Sequence, residues 1–264
     1  MIYATRTGVG IHTGQPCTAT LEALPPGSGI VFDTPQGIIQ AQADRVIETL
    51  RCTVLGSGEA RLSTVEHLLS ACAGRGIRDL KVTVDGPELP ILDGSAAGWA
   101  EVLPQSPLHL REIPETLIVT GKGGAFIACY PAEKLTVTCA IAFEHPLVGT
   151  QVARWEPPPA PASGGAYLEE IAPARTFGFI EEVQKLLDAG LAKGGSLDNA
   201  VIVHQDRYEP PLRFANELAR HKLLDLLGDL WLAGFLPKAD IIAMKPSHGL
   251  NCRLASLLSR IDFE

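Results

Sequence analysis

The chain of 264 residues has no two cysteines in C-x-x-C spacing, no run of about 18 apolar residues and no excess of basic charge. Its six cysteines (Cys17, Cys52, Cys72, Cys129, Cys139 and Cys252) are scattered, which excludes a thiolate zinc ribbon and, at this length, argues against a disulfide scaffold. Without a long apolar run, no segment is expected to span a bilayer. The opening Met1-Ile-Tyr-Ala-Thr-Arg6 lacks the basic stretch and apolar core of a secretory leader. With 22 Lys+Arg against 30 Asp+Glu, the net charge of −8 leaves no broad basic face for nucleic acid or anionic lipid. The expectation is a reduced, cytoplasmic protein that binds no nucleic acid and inserts in no membrane. With no long exposed apolar stripe evident, a monomer is expected.

What is present points to a folded chain. A hydrophobic content of 46% with only 20% charged residues excludes a disordered polymer, and the length suits one large domain or two small ones. Pro104-Gln-Ser-Pro-Leu-His-Leu-Arg-Glu-Ile-Pro114 places three prolines in eleven residues, the texture of a linker between halves 1–107 and 108–264. Strands are predicted at 38–43 and 80–84 in the first half. In the second, 116–120, 125–130 and 135–143 read as an antiparallel meander. The Pro/Ala/Gly-rich stretch 155–165 reads as a surface loop or disordered excursion. Each half also carries one strong helix. The first starts at Ser63-Thr-Val-Glu66, a capping-box pattern, and stops at Gly74 and Gly76; the second runs from Phe214 to Ala233, with Gly234 as its stop. Both place a histidine before a leucine-rich stretch (His67-Leu-Leu, His221-Lys-Leu-Leu), which suggests two similarly built α+β halves.

The second helix carries the most chemistry. At about 100° per residue, His221, Lys222, Asp225 and Asp229 share one face, opposite Leu223, Leu226, Leu227 and Leu230. A histidine and a carboxylate at i and i+4 can reach one metal ion, and Asp229, a turn further on, can orient a neighbouring group. The competing reading is an ordinary amphipathic helix with a solvated polar face and Lys222 paired to an aspartate. Glu66-His67 allows the same two readings: a third metal ligand beside a general base, or the N3 residue of the Ser63 capping box with a histidine beneath it. His248, in Lys245-Pro-Ser-His-Gly-Leu-Asn251 after a strand-like run, reads as an exposed loop histidine suited to acid catalysis. His12 lies in Gly8-Val-Gly-Ile-His-Thr-Gly14, which has neither Walker nor dinucleotide spacing.

These segments together resemble the UDP-3-O-acyl-N-acetylglucosamine deacetylase family, zinc enzymes of bacterial lipid A synthesis. The resemblance rests on Gly8–Gly14, Leu62-Ser-Thr-Val-Glu-His-Leu68, Glu88-Leu-Pro-Ile-Leu-Asp-Gly-Ser-Ala-Ala97, Ala174-Arg-Thr-Phe-Gly-Phe179, Gly194-Gly-Ser-Leu-Asp-Asn-Ala200, His221-Lys-Leu-Leu-Asp-Leu-Leu-Gly-Asp229 and the region of His248, in the family's order over nearly the whole chain. It implies two similar α/β sandwich domains packed helix layer to helix layer, with the active site between them. It also implies zinc on His67, His221 and Asp225, with Glu66 as general base and His248 as acid or electrostatic group. Asp229 would hold His248, Lys222 would be the adjacent active-site lysine, and the Thr176 hydroxyl would polarise the scissile carbonyl. The substrate implied is UDP-3-O-acyl-N-acetylglucosamine, with Phe143 stacking on uracil and Phe177 and Lys245 as further sugar-nucleotide contacts. Cys52 would lie near the metal entrance, and the insert 179–203, with Leu187, Leu191, Leu197 and Val201, would form the acyl passage.

Two departures from the family stand out. The family often has Ser-Gly-His before its catalytic histidine, whereas here Pro246-Ser247-His248-Gly249 moves the glycine across the histidine, so a different loop backbone is expected. The chain also stops at Asp262-Phe-Glu264, where family members continue, with loss of peripheral contacts rather than chemistry as the expectation. A His₂-carboxylate set accepts ferrous iron (Fe2+) as well as zinc (Zn2+). Two alternatives stand beside the deacetylase: another hydrolase using the same metal chemistry, and a catalytically inert sugar-nucleotide-binding relative.

Overall fold

Alternation of inward and outward side chains builds the first sheet. In a computed structural model, which describes residues 1–157 and 165–262, the first half forms strands β1 (Ile2–Val9), β2 (Pro16–Ala23), β3 (Ile30–Thr34), β4 (Gly37–Gln40), β5 (Val46–Glu48), β6 (Val54–Ser57), β7 (Ala60–Leu62) and β8 (Leu80–Val84). Cys17, Ala19 and Leu21 of β2 and Leu80, Val82 and Val84 of β8 turn into the core, with half-buried or exposed residues between them. The sheet order is β1-β2-β8-β3-β4, with β3 and β8 parallel and the other pairs antiparallel. Strands β5, β6 and β7 form a separate antiparallel ribbon. The strand expected at 38–43 ends at Gln40, because the chain turns at Ala43–Arg45 to enter this ribbon.

The second half contributes β9 (Leu110–Glu112), β10 (Leu117–Thr120), β11 (Phe126–Pro131), β12 (Thr136–Ala142), β13 (Thr150–Trp155), β14 (Phe177–Phe179), β15 (Val201–Val203), β16 (Tyr208–Glu209) and β17 (Leu236–Met244). Its main sheet has the order β10-β11-β17-β12-β13. This corrects the expected meander. The last strand enters between β11 and β12, antiparallel to the first and parallel to the second. Its run of Leu236, Pro237, Ala239, Ile241 and Ala243 is buried, and an apolar strand gains most at the centre of a sheet. The proline-rich segment is also more structured than a linker, since Leu110–Glu112 pairs in parallel with the start of β17. Of the loop expected at 155–165, residues 158–164 lie outside the described residues; Trp155, at its start, is buried at the end of β13.

Helices α1 (Glu66–Arg75), α2 (Ala97–Ala100), α3 (Gly165–Glu170), α4 (Ile180–Asp188), α5 (Glu217–Leu230) and α6 (His248–Leu258) complete the α+β fold. Helix α1 lies against α5, and α5 against α6 and strands β12 and β13, so helices fill the space between the two main sheets. One hydrophobic core runs through both halves, from Leu21 and Phe32 to Leu224, Leu227 and Ile241. Two glycines permit the close approach: a methyl group at Gly228 of α5 would overlap the Glu66 carbonyl of α1, and one at Gly74 would strike the Tyr167 ring. The Trp231 indole N–H donates to the Ile77 carbonyl at 3.1 Å, joining the halves at the far end of α5. Among the described residues no helix is long and apolar enough to cross a membrane.

Candidate active site

The first turn of α1 departs from the expected capping box. Ser63 does not cap: its hydroxyl donates to the Pro87 carbonyl at 3.0 Å, and Ser63 forms a β-bridge with Glu88. Thr64 takes a left-handed backbone (φ 61°) and Val65 precedes the helix without a side-chain cap. Glu66 is therefore the first helical residue, and its side chain turns inward. Its Oε2 accepts the Thr53 N–H at 3.1 Å, which leaves Oε1 toward the cavity, 3.9 Å from His248 Nε2.

Helix α5 likewise has no solvated polar face. From Glu217 to Leu230 only Arg220 and Lys222 escape burial, so the amphipathic surface-helix alternative fails. His221 Nδ1 lies 3.0 Å from the Ala174 carbonyl. This fixes the tautomer with the proton on Nδ1 and leaves Nε2 with a bare lone pair. Asp225 Oδ1 stands 3.4 Å from that nitrogen and 3.6 Å from His67 Nε2, buried and without a hydrogen-bond partner. The two imidazoles meet edge to face, with centroids 5.0 Å apart, and ligand atoms from His67, His221 and Asp225 all lie within 4.8 Å of one another. Three buried side chains that can each turn an electron pair toward one point are an arrangement that a divalent cation satisfies. The residues fit a metal.

Electrostatics agree with that reading. Burial lowers the His221 pKa to about 4, so the imidazole is neutral, the form that binds metal. Burial opposes ionisation of Asp225, yet His221 and Lys222, whose ammonium is 2.7 Å from Oδ2, hold its carboxyl well below the usual range. Burial raises the Glu66 pKa against the pull of His248 and His67, which brings a carboxylate closer to the range of a general base. Burial alone would lower His248, but Asp229, with Nδ1 to Oδ2 at 2.9 Å, outweighs it and raises the pKa to about 9. Asp229 is itself fully buried and held by the Thr53 hydroxyl at 2.6 Å and the Asn251 amide at 2.9 Å.

His248 is not the exposed loop residue that its neighbours suggested. It is the first residue of α6, 7% exposed, behind Ser247, whose hydroxyl accepts the Leu250 N–H. Moving the glycine to position 249 leaves Ser247 free as N-cap.

The structure brings Glu66, His67, Thr176, His221, Lys222, Asp225 and His248 around one cavity of about 50 Å³, and Asp229 stands behind His248. Phe143, Lys222 and Lys245 line an adjoining cavity of about 230 Å³. Phe177 bridges the two, its ring 6.0 Å from Phe143 and 6.3 Å from His221. Cys52 and Leu197 line neither cavity: Cys52 is buried, its thiol pKa pushed up by burial and Glu66, and Leu197 is half exposed on the loop after α4. Sequence reasoning missed Ile11, Arg51, Thr64 and Ile91 on the cavity wall, and gave no role to His12, which is also there. Arg51 and Thr64 owe their places to left-handed backbones, φ 69° and 61°, and nothing in either residue type announces that conformation.

Comparison with known proteins gives the family of the whole chain. The family described as "LpxC: UDP-3-O-acyl N-acetylglycosamine deacetylase" matches residues 3–260. A protein of Trichormus variabilis named UDP-3-O-acyl-N-acetylglucosamine deacetylase is 41% identical over 263 residues, 94% of this chain and 93% of its own length. Proteins of the same name from Myxococcus xanthus (40% over 263 residues, 95% and 82% covered) and Campylobacter fetus (38% over 261 residues, 95% and 87% covered) are similar along the same span.

Proposed function

From the premise that the chain belongs to the UDP-3-O-acyl-N-acetylglucosamine deacetylase family, we propose that the cavity between α1 and α5 is the catalytic centre and that the ion it holds is zinc. The enzyme is a metal-dependent hydrolase of lipid A biosynthesis that removes the acetyl group from UDP-3-O-acyl-N-acetylglucosamine. The observation that carries the site assignment is the orphaned Asp225 Oδ1 facing two imidazole Nε2 atoms, within a few ångströms of Glu66 and His248. The alternative of an inert relative has no support, since the family and the relatives carry the deacetylase name.

His67, His221 and Asp225 would hold the cation, with Lys222 offsetting the second Asp225 oxygen. When bound, the ion supplies Lewis-acid polarisation of the amide carbonyl and eases deprotonation of the attacking water. Glu66 Oε1 takes that proton as the water oxygen bonds to the acetyl carbon; Oε2, tied to Thr53, keeps the carboxylate aimed. The Thr176 hydroxyl donates to the developing oxyanion. His248, cationic on Asp229, faces the same space and protonates the amine as the C–N bond breaks, giving acetate and the free amino sugar. The cavity of Phe143, Lys222 and Lys245 suits a nucleotide, with an aromatic face and two ammonium groups for base and diphosphate. Helix α4 and the loop to β15 supply the apolar residues for an acyl chain. We read the two halves, 1–107 and 108–264, as domains of one cytoplasmic monomer.

The test is acetate release from UDP-3-O-acyl-N-acetylglucosamine by purified protein before and after chelation, with zinc or ferrous iron restored separately. Activity is expected to vanish with the metal and return with zinc. Glu66→Gln should keep one metal per chain and lose roughly 10²–10⁴-fold in kcat. Normal turnover by that variant removes Glu66 as base, and turnover restored only by iron replaces zinc.

A further inference from the structure

Glu88 is 1% exposed and stands outside the cavity lining, yet it holds two parts of that lining at once. A carboxylate taken out of water needs several donors. Here they come from two separate segments. The His12 N–H (3.0 Å) and the Thr64 hydroxyl (2.8 Å) donate to Oε1; the Thr13 N–H (2.8 Å) and the Thr13 hydroxyl (2.7 Å) donate to Oε2. The loop is closed tightly on this carboxylate, since a methyl group at Gly10 would overlap it. On its other side the same loop is held by the second half, through Lys193 N–H to the His12 carbonyl (3.3 Å) and Gly194 N–H to the Ile11 carbonyl (3.0 Å).

Both residues clamped on Oε1 face the metal cavity. Thr64 sits two residues before Glu66, in a left-handed backbone that its hydroxyl bond helps to hold. His12 lines the same wall, and its Nδ1 is buried with no hydrogen-bond partner. We propose that Glu88 is a positioning residue for the deacetylation: its carboxylate fixes the spacing between His12 and the Thr64–Glu66 turn, so that the His12 ring keeps its place on the cavity wall beside the substrate. This rests on the reaction assigned above. An amide at position 88 turns its NH2 toward one backbone N–H that can only donate, so that bond is lost, and the hydroxyl beside it must turn round to accept.

The experiment compares the full-length, zinc-loaded chain with Glu88→Gln, His12→Ala and the double variant, reading kcat, KM and zinc stoichiometry well below the melting temperature. Glu88→Gln is expected to keep one zinc per chain and to lose roughly 10–100-fold in kcat, the scale of a small misplacement near reacting atoms. His12→Ala is expected to lose a similar factor, and the double variant no more than the worse single, because both act through one ring. A Glu88→Gln protein that melts earlier but turns over normally, or a double variant whose loss is the product of the singles, overturns the proposal. If Glu88→Gln does not fold, Thr13→Val removes a single donor and Thr13→Ser restores it: a kcat loss in the first that is recovered in the second supports the clamp, and equal rates overturn it. An unsubstituted zinc-loaded chain without turnover overturns the deacetylase reading and the proposal with it, whereas an active chain indifferent to Glu88→Gln overturns only the proposal.

Discussion

At Asp225 the two carboxylate oxygens face different demands: Oδ2 is neutralised by Lys222, and Oδ1 is left bare between two imidazoles. His248 shows the same division of labour between its nitrogens, with Nδ1 on Asp229 and Nε2 toward Glu66 and Asp225 at 3.9 Å. Its pKa, raised to about 9, keeps it cationic through neutral pH. Because the folded value lies above the ordinary 6.5, its contribution to stability is complete below about pH 6.5 and is lost as pH rises through about 9. The same titration removes the acid of the proposed mechanism. The alkaline limb of the kcat profile should therefore fall near that pH. Asp229→Asn, which removes the main group raising the pKa, should move the limb down by about one unit or more. A limb that stays in place when Asp229 is changed detaches it from His248.

Among the elements, the two helices that carry the proposed ligands were legible for different reasons: α5 because its leucines recur at helical spacing, α1 because Gly74 and Gly76 mark its end after a capping-like start. Local spacing offered the chemistry on them as pairs (Glu66-His67, and His221 with Asp225); it was the family resemblance that joined them into one proposed site, since spacing cannot say that α1 lies against α5. Three readings failed for physical reasons. Ser63 looked like a cap but is held by Pro87; α6 was hidden by the turn-like Pro246-Ser-His-Gly249; and β17 took the centre of a sheet that sequence order arranged without it. Helix α4 is the opposite case. None of its residues is buried, Ile180 and Leu187 remain exposed, and its side-chain ties are surface bonds, Arg51 to Glu182 at 3.0 Å and Gln205 to Glu181. Few buried contacts mean a low local opening energy, and exposed ion pairs add little. Amides of 180–188 should exchange with deuterium well before those of 217–230, and faster still at high salt. Equal protection of the two helices contradicts this ranking.

For the whole molecule, the proposed base Glu66 and the proposed ligand His67 come from α1 and the other two proposed ligands from α5, so the proposed metal site depends on the distance those helices keep. Gly228 sets that distance, because any side chain there meets the Glu66 carbonyl and the Ser70 amide of the facing backbone rather than a movable side chain. A single added carbon must push α1 away from α5 and carry Glu66 and His67 with it. Core overpacking of this kind costs about 1–3 kcal/mol, and loosening the support of metal ligands weakens affinity by roughly 10–100-fold. Gly228→Ala should therefore lower both the melting temperature and zinc affinity, although the substituted residue touches neither metal nor substrate. Raising the zinc concentration should recover part of the lost stability, since a ligand that binds only the folded form restores it by mass action. A Gly228→Ala protein that melts early but binds zinc normally would mean that the helices move together as one layer, and that the site tolerates the shift.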